Sequence, residues 1–314
     1  MSPHVAVIGC GHWGKNLVRN FSELGALHSV CDPNAALADE MAERFSVRAA
    51  EFEAICSDID IDGVVIAAPA PLHASLAMQA FAAGKHVYVE KPLAMNAAEA
   101  SRMIEVAADS KKHLMVGHLL QYHPAFVALK ELVAAGELGA IRHIQSNRLS
   151  FGKLRSDEDV IWSFAPHDIS MVLSLVGEEP SEVRCEANDI TGNGLADKAN
   201  LFLSFAQDIT AQISVSWLHP FKEQKLVVIG ERGMAVFDDT KTWSDKLTVY
   251  PQFADREAGD TALSKSDAEP IILPDAEPLK IECQYFLDLI SGTESPRTDG
   301  AEGARVLKVL TDAT

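Results

Sequence analysis

Residues 5–14 read VAVIGCGHWG, a short apolar run of high β propensity that passes straight into Gly-x-Gly-x-x-Gly (Gly9, Gly11, Gly14). Trp13, Leu17, Phe21 and Leu24 then recur at helical spacing up to Gly25, and a second β-rich run, Leu27–Cys31, ends on Asp32. A continuous apolar run closed by glycine is the pattern of a buried parallel strand. Strand, glycine turn, helix, strand and acid in that order specify a βαβ unit, and its parallel sheet must be covered by helices on both faces. Gly9 permits the tight turn, Gly11 lets the backbone approach a pyrophosphate, and Gly14 lets helix and strand pack closely. The helix N-terminus turns N–H groups and its positive dipole end toward phosphate. Asp32 can accept both hydroxyls of an adenosine ribose and repels a 2′-phosphate. NAD is therefore expected rather than NADP, bound by Gly9, Gly11, His12, Trp13, Gly14 and Asp32.

The alternation continues to about residue 120. Gly63–Ala67 and His86–Val89 read as buried strands, Leu72–Ala83 as the helix between them, and Leu114–Val116 as the last strand. Asn96 with Glu99 reads as a capping box opening a helix to about Ala108. After Gly117 strands dominate: Ile141–Leu149, Glu182–Ala187, Asn200–Phe205, Thr210–Trp217, and a hairpin about Gly230-Glu231-Arg232-Gly233. A helix over Pro166–Val176 interrupts them, and helices over Leu279–Ile290 and Ala301–Leu310 close the chain. The expected fold class is α/β. A Rossmann dinucleotide-binding domain over 1–121 is followed by an α+β domain over 122–314 with an open-faced, mostly antiparallel sheet. A chain of 314 residues suits two domains.

The formal net charge is −18, with 9 basic and 14 acidic residues in 1–121 and 18 and 31 in the remainder. That field repels phosphate backbones, and no basic patch offsets it, so a nucleic-acid partner is not expected. The five cysteines are odd in number and widely spaced, without zinc-ligand spacing, so no metal is expected and reduced thiols in a cytoplasmic protein are the plain reading. The longest apolar-rich stretch, 63–84, carries Pro69, Pro71, His73 and Gln79 and is no membrane span. None of the four tyrosines has Lys four residues on, which excludes a Tyr-x-x-x-Lys dehydrogenase.

Glu90-Lys91-Pro92 stands at the carboxyl end of a buried strand, where open α/β sheets bind ligands. The ammonium of Lys91 can hydrogen-bond a substrate hydroxyl and stabilise negative charge developing on its oxygen. Pro92 fixes the backbone there, with a cis bond as an option.

These residues carry a resemblance. Gly9–Gly14, Ala68-Pro69 with His73, Glu90-Lys91-Pro92 and Pro166-His167-Asp168-Ile169 resemble the Gfo/Idh/MocA oxidoreductase family over essentially the whole chain. The resemblance implies NAD(P)-dependent oxidation or reduction of sugar-like alcohols, with Lys91 orienting the reacting hydroxyl and His167 as acid/base. It also implies a homodimer or homotetramer formed through the C-terminal sheet. An imidazole titrates near neutral pH, and His167 in the first turn of a helix would be held neutral, ready to accept a proton. Many members carry Asp four residues before this His; here Ser163 stands there. Ala68, Pro69, His73 and Glu90 are expected near the cofactor. Gln121, His123 and Ser163 are expected near the substrate. His4–Asp32, Ile161–Pro180, Thr298–Gly300 and Arg305–Leu307 are similar to the bacterial nucleotide-sugar 3-dehydrogenases of that family. These act on UDP-N-acetylglucosamine or its uronic acid and feed an aminotransferase that makes 2,3-diamino sugars for lipid A or O-antigen. A UDP-sugar needs local positive charge, for which Arg148, Lys153 and Arg155 are the candidates. A free sugar or inositol, and a non-catalytic NAD-binding sensor, are the alternative readings.

Overall fold

The structure, a computed structural model, describes residues 3–152, 155, 158–251 and 267–314. By contacts the chain divides into two compact units, 1–122 with 277–307, and 123–276 with 308–314.

The first unit alternates β1 (Val5–Ile8), α1 (Gly14–Glu23), β2 (Leu27–Cys31), α2 (Ala35–Phe45), β3 (Arg48–Ala49), α3 (Phe52–Ser57), β4 (Gly63–Ile66), α4 (His73–Ala82), β5 (His86–Glu90), α5 (Ala97–Asp109) and β6 (Leu114–Gly117). Its six strands lie in the order β3-β2-β1-β4-β5-β6, all parallel. The order reverses at β1, and the crevice at the carboxyl ends of β1 and β4 is the ligand position of such a sheet. Asn96 caps α5 by accepting the Glu99 N–H at 2.9 Å, as its spacing predicts.

The second unit opens with α6 (Pro124–Ala134), β7 (Ile141–Phe151) and α7 (Val160–Val176). The strands β8 (Glu182–Asn188), β9 (Lys198–Ser204), β10 (Thr210–Ser216), β11 (Leu218–Gly230), β12 (Gly233–Asp238), β13 (Leu247–Pro251) and β14 (Glu269–Pro270) follow. They form an eight-stranded sheet, β14-β13-β12-β11-β7-β10-β9-β8, antiparallel except for β7 beside β10. The hairpin expected at Gly230–Gly233 joins β11 to β12, with Ile229 opposite Met234. Alternate residues of β9 (Ala199, Leu201, Leu203) and β10 (Ala211, Ile213, Val215) are buried, the period-2 pattern of a sheet with one covered face.

The chain's end departs from the expected division. Helix α8 (Pro278–Ile290) and the start of α9 (Gly300–Ala313) belong to the first unit, not the second. The apolar stripe of α8, with Leu279, Cys283, Phe286, Leu287 and Leu289, is packed in the core of β1, α1 and β2. Phe286 meets Phe21 edge-on at 6.5 Å and Tyr88 at 5.8 Å. Glu277 accepts from Asn20 at 3.1 Å and pairs with Arg19. Sequence reading places α8 in the second domain because it follows that domain in the chain. Periodicity shows that a helix has an apolar face but not which surface receives it. Among the described residues no helix is long and apolar enough to cross a membrane.

Candidate functional site

The glycine turn after β1 is built as its spacing requires. Gly9 has φ +98°, and a Cβ there would lie 2.7 Å from the Ala67 carbonyl oxygen and 2.9 Å from the Ala68 nitrogen. A Cβ on Gly14 would collide with the Gly9 carbonyl. Around Gly11, by contrast, a Cβ would meet nothing within 4 Å, so this backbone faces open space at the start of α1. Such a cradle fits a pyrophosphate. Asp32 closes β2 with its carboxylate oriented by two main-chain donors: Oδ2 accepts the Cys10 N–H at 2.7 Å and Oδ1 the Asn34 N–H at 2.9 Å. Each oxygen keeps lone-pair capacity for a ribose hydroxyl. The residues present fit NAD.

Trp13 donates its indole N–H to Glu90 Oε1 at 2.5 Å, joining the glycine turn to the end of β5. Glu90 is buried, which raises its carboxyl pKa. It also accepts the Tyr88 O–H at 3.2 Å and the Lys91 N–H at 3.2 Å. Lys91 is half-buried at the carboxyl edge of the sheet, and the Lys91–Pro92 bond is cis. Pro69 is exposed and Ala68 half-buried beside the turn. His73 is 1% exposed, with Nδ1 2.8 Å from the Pro92 carbonyl oxygen and Nε2 2.9 Å from that of Ala68. Burial lowers its pKa against the pull of both carbonyls. The neutral ring has one N–H and donates to one of these two carbonyls, with the other nitrogen packed against the second, so His73 is a strut between the loops after β4 and β5. Gln121 is buried, and its carbonyl accepts from Arg297 at 3.0 Å.

In the second unit, Asp159 is the N-cap of α7 and accepts the N–H groups of Ile161 and Trp162 at 2.9 and 3.0 Å. The helix therefore begins at Val160, with Pro166 inside it. His167 is the eighth residue of α7, not in its first turn, and the expected dipole effect does not reach it. A capping Asp followed by Val-Ile-Trp signals this start; the proline masks it, because Pro is also common at a first helical position. Ser163 is buried one turn before His167, and His167 is half-buried. The next residue, Asp168, is 1% exposed and accepts from Ser146 Oγ and Arg148 Nε, both at 2.6 Å. These bonds fix α7 on β7 and with it the backbone of His167.

The basic set expected for a pyrophosphate is correspondingly smaller. Arg148 is paired with Asp168, and Arg155 is paired with Glu158. Lys153 lies outside the described residues. His123 is also structural in its contacts. It is 2% exposed and stacked on Trp243 at 5.2 Å; Nδ1 accepts the Ala125 N–H at 3.1 Å, and Nε2 lies 3.2 Å from Asp239. Two residues beside the expected ones make contacts that set the site. Asp168 acts through β7, 20 residues away, and local spacing cannot show it. Tyr88 stands two residues before Glu90 in β5, and the period of 2 places both on one face of the sheet.

Comparison with known proteins agrees with this geometry. Residues 4–118 match the model of the oxidoreductase family with an NAD-binding Rossmann fold, and residues 126–236 match the GFO/IDH/MocA C-terminal domain. The chain belongs to the GFO/IDH/MocA oxidoreductase family. It is 29% identical over 303 residues to the UDP-N-acetylglucosamine 3-dehydrogenase of Acidithiobacillus ferrooxidans, across 96% of this chain and 93% of that protein. It is 28% identical over 227 residues to the inositol 2-dehydrogenase of Acidothermus cellulolyticus, across 68% and 66%. The solved structure of the Acidithiobacillus enzyme covers 99% of this chain and 96% of its own, with a TM-score of 0.88 at 28% identity. The protein is thus an oxidoreductase whose first domain binds NAD.

Proposed function

We propose that the protein oxidises the C3 hydroxyl of UDP-N-acetylglucosamine to the 3-keto sugar. The observation that carries this reading is the match to a UDP-N-acetylglucosamine 3-dehydrogenase across 96% of the chain, both domains included. When bound in the cradle of Gly9, Gly11 and Gly14 with Asp32, NAD would supply the two-electron oxidant for the C3 carbon. The Lys91 ammonium donates a hydrogen bond to the C3 oxygen and stabilises the negative charge that develops there. The His167 imidazole accepts the hydroxyl proton. The backbone N–H groups at the start of α1 hold the cofactor pyrophosphate, and Asp32 takes the adenosine ribose. Gln121 and Ser163 are assigned to substrate contact. Arg148 is paired to Asp168 and Arg155 to Glu158, so neither is set aside for the carboxylate of the uronic acid, which favours the N-acetylglucosamine substrate.

The reading extends to a cytoplasmic homodimer or homotetramer joined through the C-terminal sheet, whose ketone product is consumed by an aminotransferase in 2,3-diamino sugar synthesis. Inositol oxidation is a second reading, favoured by the 28% identity to an inositol 2-dehydrogenase. The test is reduced-nicotinamide absorbance with UDP-N-acetylglucosamine, its uronic acid, inositol and glucose, with an aminotransferase added to draw off the ketone. Turnover of UDP-N-acetylglucosamine is expected, and Lys91→Ala should abolish it while NAD still binds. Turnover of inositol or glucose alone would overturn the nucleotide-sugar reading.

A further inference from the structure

Helix α8 inserts one acid into the core of the first unit. Glu282 is 0% exposed, on the buried face that also carries Cys283 and Phe286. No side chain reaches full hydrogen-bond geometry with either of its carboxyl oxygens, and the Tyr88 hydroxyl is the polar group close enough to interact with them. The titratable groups that face it are Tyr88 and Glu90 of β5, Tyr122 of the turn after β6, and Cys283 of its own helix. None is a cation. Burial and the nearby Glu90 charge push the Glu282 carboxyl well above its ordinary range. The Tyr88 hydroxyl lies beside Glu282 and donates to Glu90 at 3.2 Å. Room for this group is made by Gly117, where a Cβ would lie 2.8 Å from the Tyr88 hydroxyl and 3.0 Å from the Glu90 carboxyl.

The Lys91 ammonium acts on Glu90 and offsets one negative charge, but a second ionised carboxylate in the same dry pocket has no cation of its own among the groups named. A proton on Glu282 removes the conflict and also completes the hydrogen bonding, since the Tyr88 oxygen has an open lone pair once its own O–H is turned to Glu90. We infer that Glu282 is a protonated acid and a positioning residue: its O–H donates to Tyr88, the Tyr88 O–H donates to Glu90, and this chain fixes the carboxylate that precedes Lys91. Glu90 is left with donors from Tyr88, Trp13 and the Lys91 main chain. Its single negative charge stays beside the lysine instead of being shared across the core. The effect on turnover rests on the role given to Lys91 above; the protonation of Glu282 does not.

Infrared difference spectra of the full chain test the protonation without any substrate. At pH 8 a protonated-carboxyl C=O band is expected, lost in Glu282→Gln and shifted in frequency in Tyr88→Phe. Absence of the band from the wild type, or its persistence in Glu282→Gln, would overturn the inference. The second arm measures turnover of whichever alcohol the protein oxidises. Glu282→Leu, which packs but cannot donate, should lower kcat roughly tenfold, as loss of one bond in a chain ending on a charge would. KM for NAD should change less. Glu282→Gln, which keeps a donor, should recover most of the loss. An equal loss in both variants, or none in Glu282→Leu, would overturn the positioning role. If no UDP-sugar is oxidised, the proposed function fails while the infrared result still decides the state of Glu282.

Discussion

Trp13 in the glycine turn donates its indole N–H to the buried carboxylate of Glu90 at the end of β5. One bond thus couples the turn that faces the cofactor to the residue before Lys91. Trp13→Phe keeps the ring and removes the donor. A hydrogen bond to a charged group contributes about 1.5–3 kcal/mol, so NAD affinity should fall roughly tenfold. Calorimetric titration with NAD checks this; an unchanged Kd would show that the bond does not order the turn.

Gly11 and Gly14 lie three residues apart in one motif and should respond oppositely to alanine. At Gly11 the Cβ meets no protein atom, so Gly11→Ala should fold with near-normal thermal stability and lose NAD binding. At Gly14 the Cβ collides with the Gly9 carbonyl, so Gly14→Ala should lower stability itself. Thermal melts with and without NAD separate the two effects.

Asp32 bonds the Cys10 N–H as well as facing the ribose position. Asp32→Ala should therefore weaken NAD binding by more than the loss of ribose contacts alone. Asp32→Asn keeps the acceptor toward Asn34 and should bind NAD better than Asp32→Ala. Both variants remove the charge that repels a 2′-phosphate, so the ratio of NADP to NAD dissociation constants should drop at least about tenfold. Paired cofactor titrations measure that ratio.

The alternating βα units, the glycine turn and Asp32 are legible in the sequence because each is set by residues close together in the chain. The start of α7 is signalled by the capping Asp159, but Pro166 fits a first helical position equally well and so competes with it. What the sequence does not show is pairing at a distance. Arg148 reads as a cation available to a phosphate until the fold sets it against Asp168. Glu282 reads as one more polar position of an amphipathic helix until α8 is packed against Tyr88.

Arg148 and Asp168 have side chains 11% and 2% exposed. Arg148→Met leaves the Asp168 carboxylate with the Ser146 hydroxyl and should cost about 3–5 kcal/mol of stability. The double variant Arg148→Met with Asp168→Asn should recover much of it, because no charge is then left buried alone. Denaturant unfolding of the three proteins gives the comparison. A single variant as stable as the wild type would mean that Arg148 is available to a ligand.

His86 stacks on His113 at 5.0 Å and its Nδ1 accepts the His113 main-chain N–H at 3.2 Å. Burial moves its pKa from 6.5 to about 4. The unfolded chain takes up the proton first as pH falls, so this contribution is full above pH 6.5 and is lost progressively toward pH 4. Burial also lowers the pKa of His28, His73, His113 and His143, which act in the same direction. Partial solvent access limits the His86 share to about 1–3 kcal/mol. His86→Asn should flatten the decline in melting temperature between pH 7 and pH 4.5; an unaltered slope would place the loss elsewhere.

The return of residues 277–307 to the first unit bears on how the protein is made. During translation β1 to β6 emerge early, but the surface that receives Phe286 and Leu287 stays bare until the intervening 154 residues have been synthesised. The cofactor domain cannot close ahead of its neighbour, as a contiguous N-terminal domain would on the ribosome. A gene cut after Tyr122 should yield an aggregation-prone fragment. Appending 277–307 through a short linker should restore a soluble domain that binds NAD.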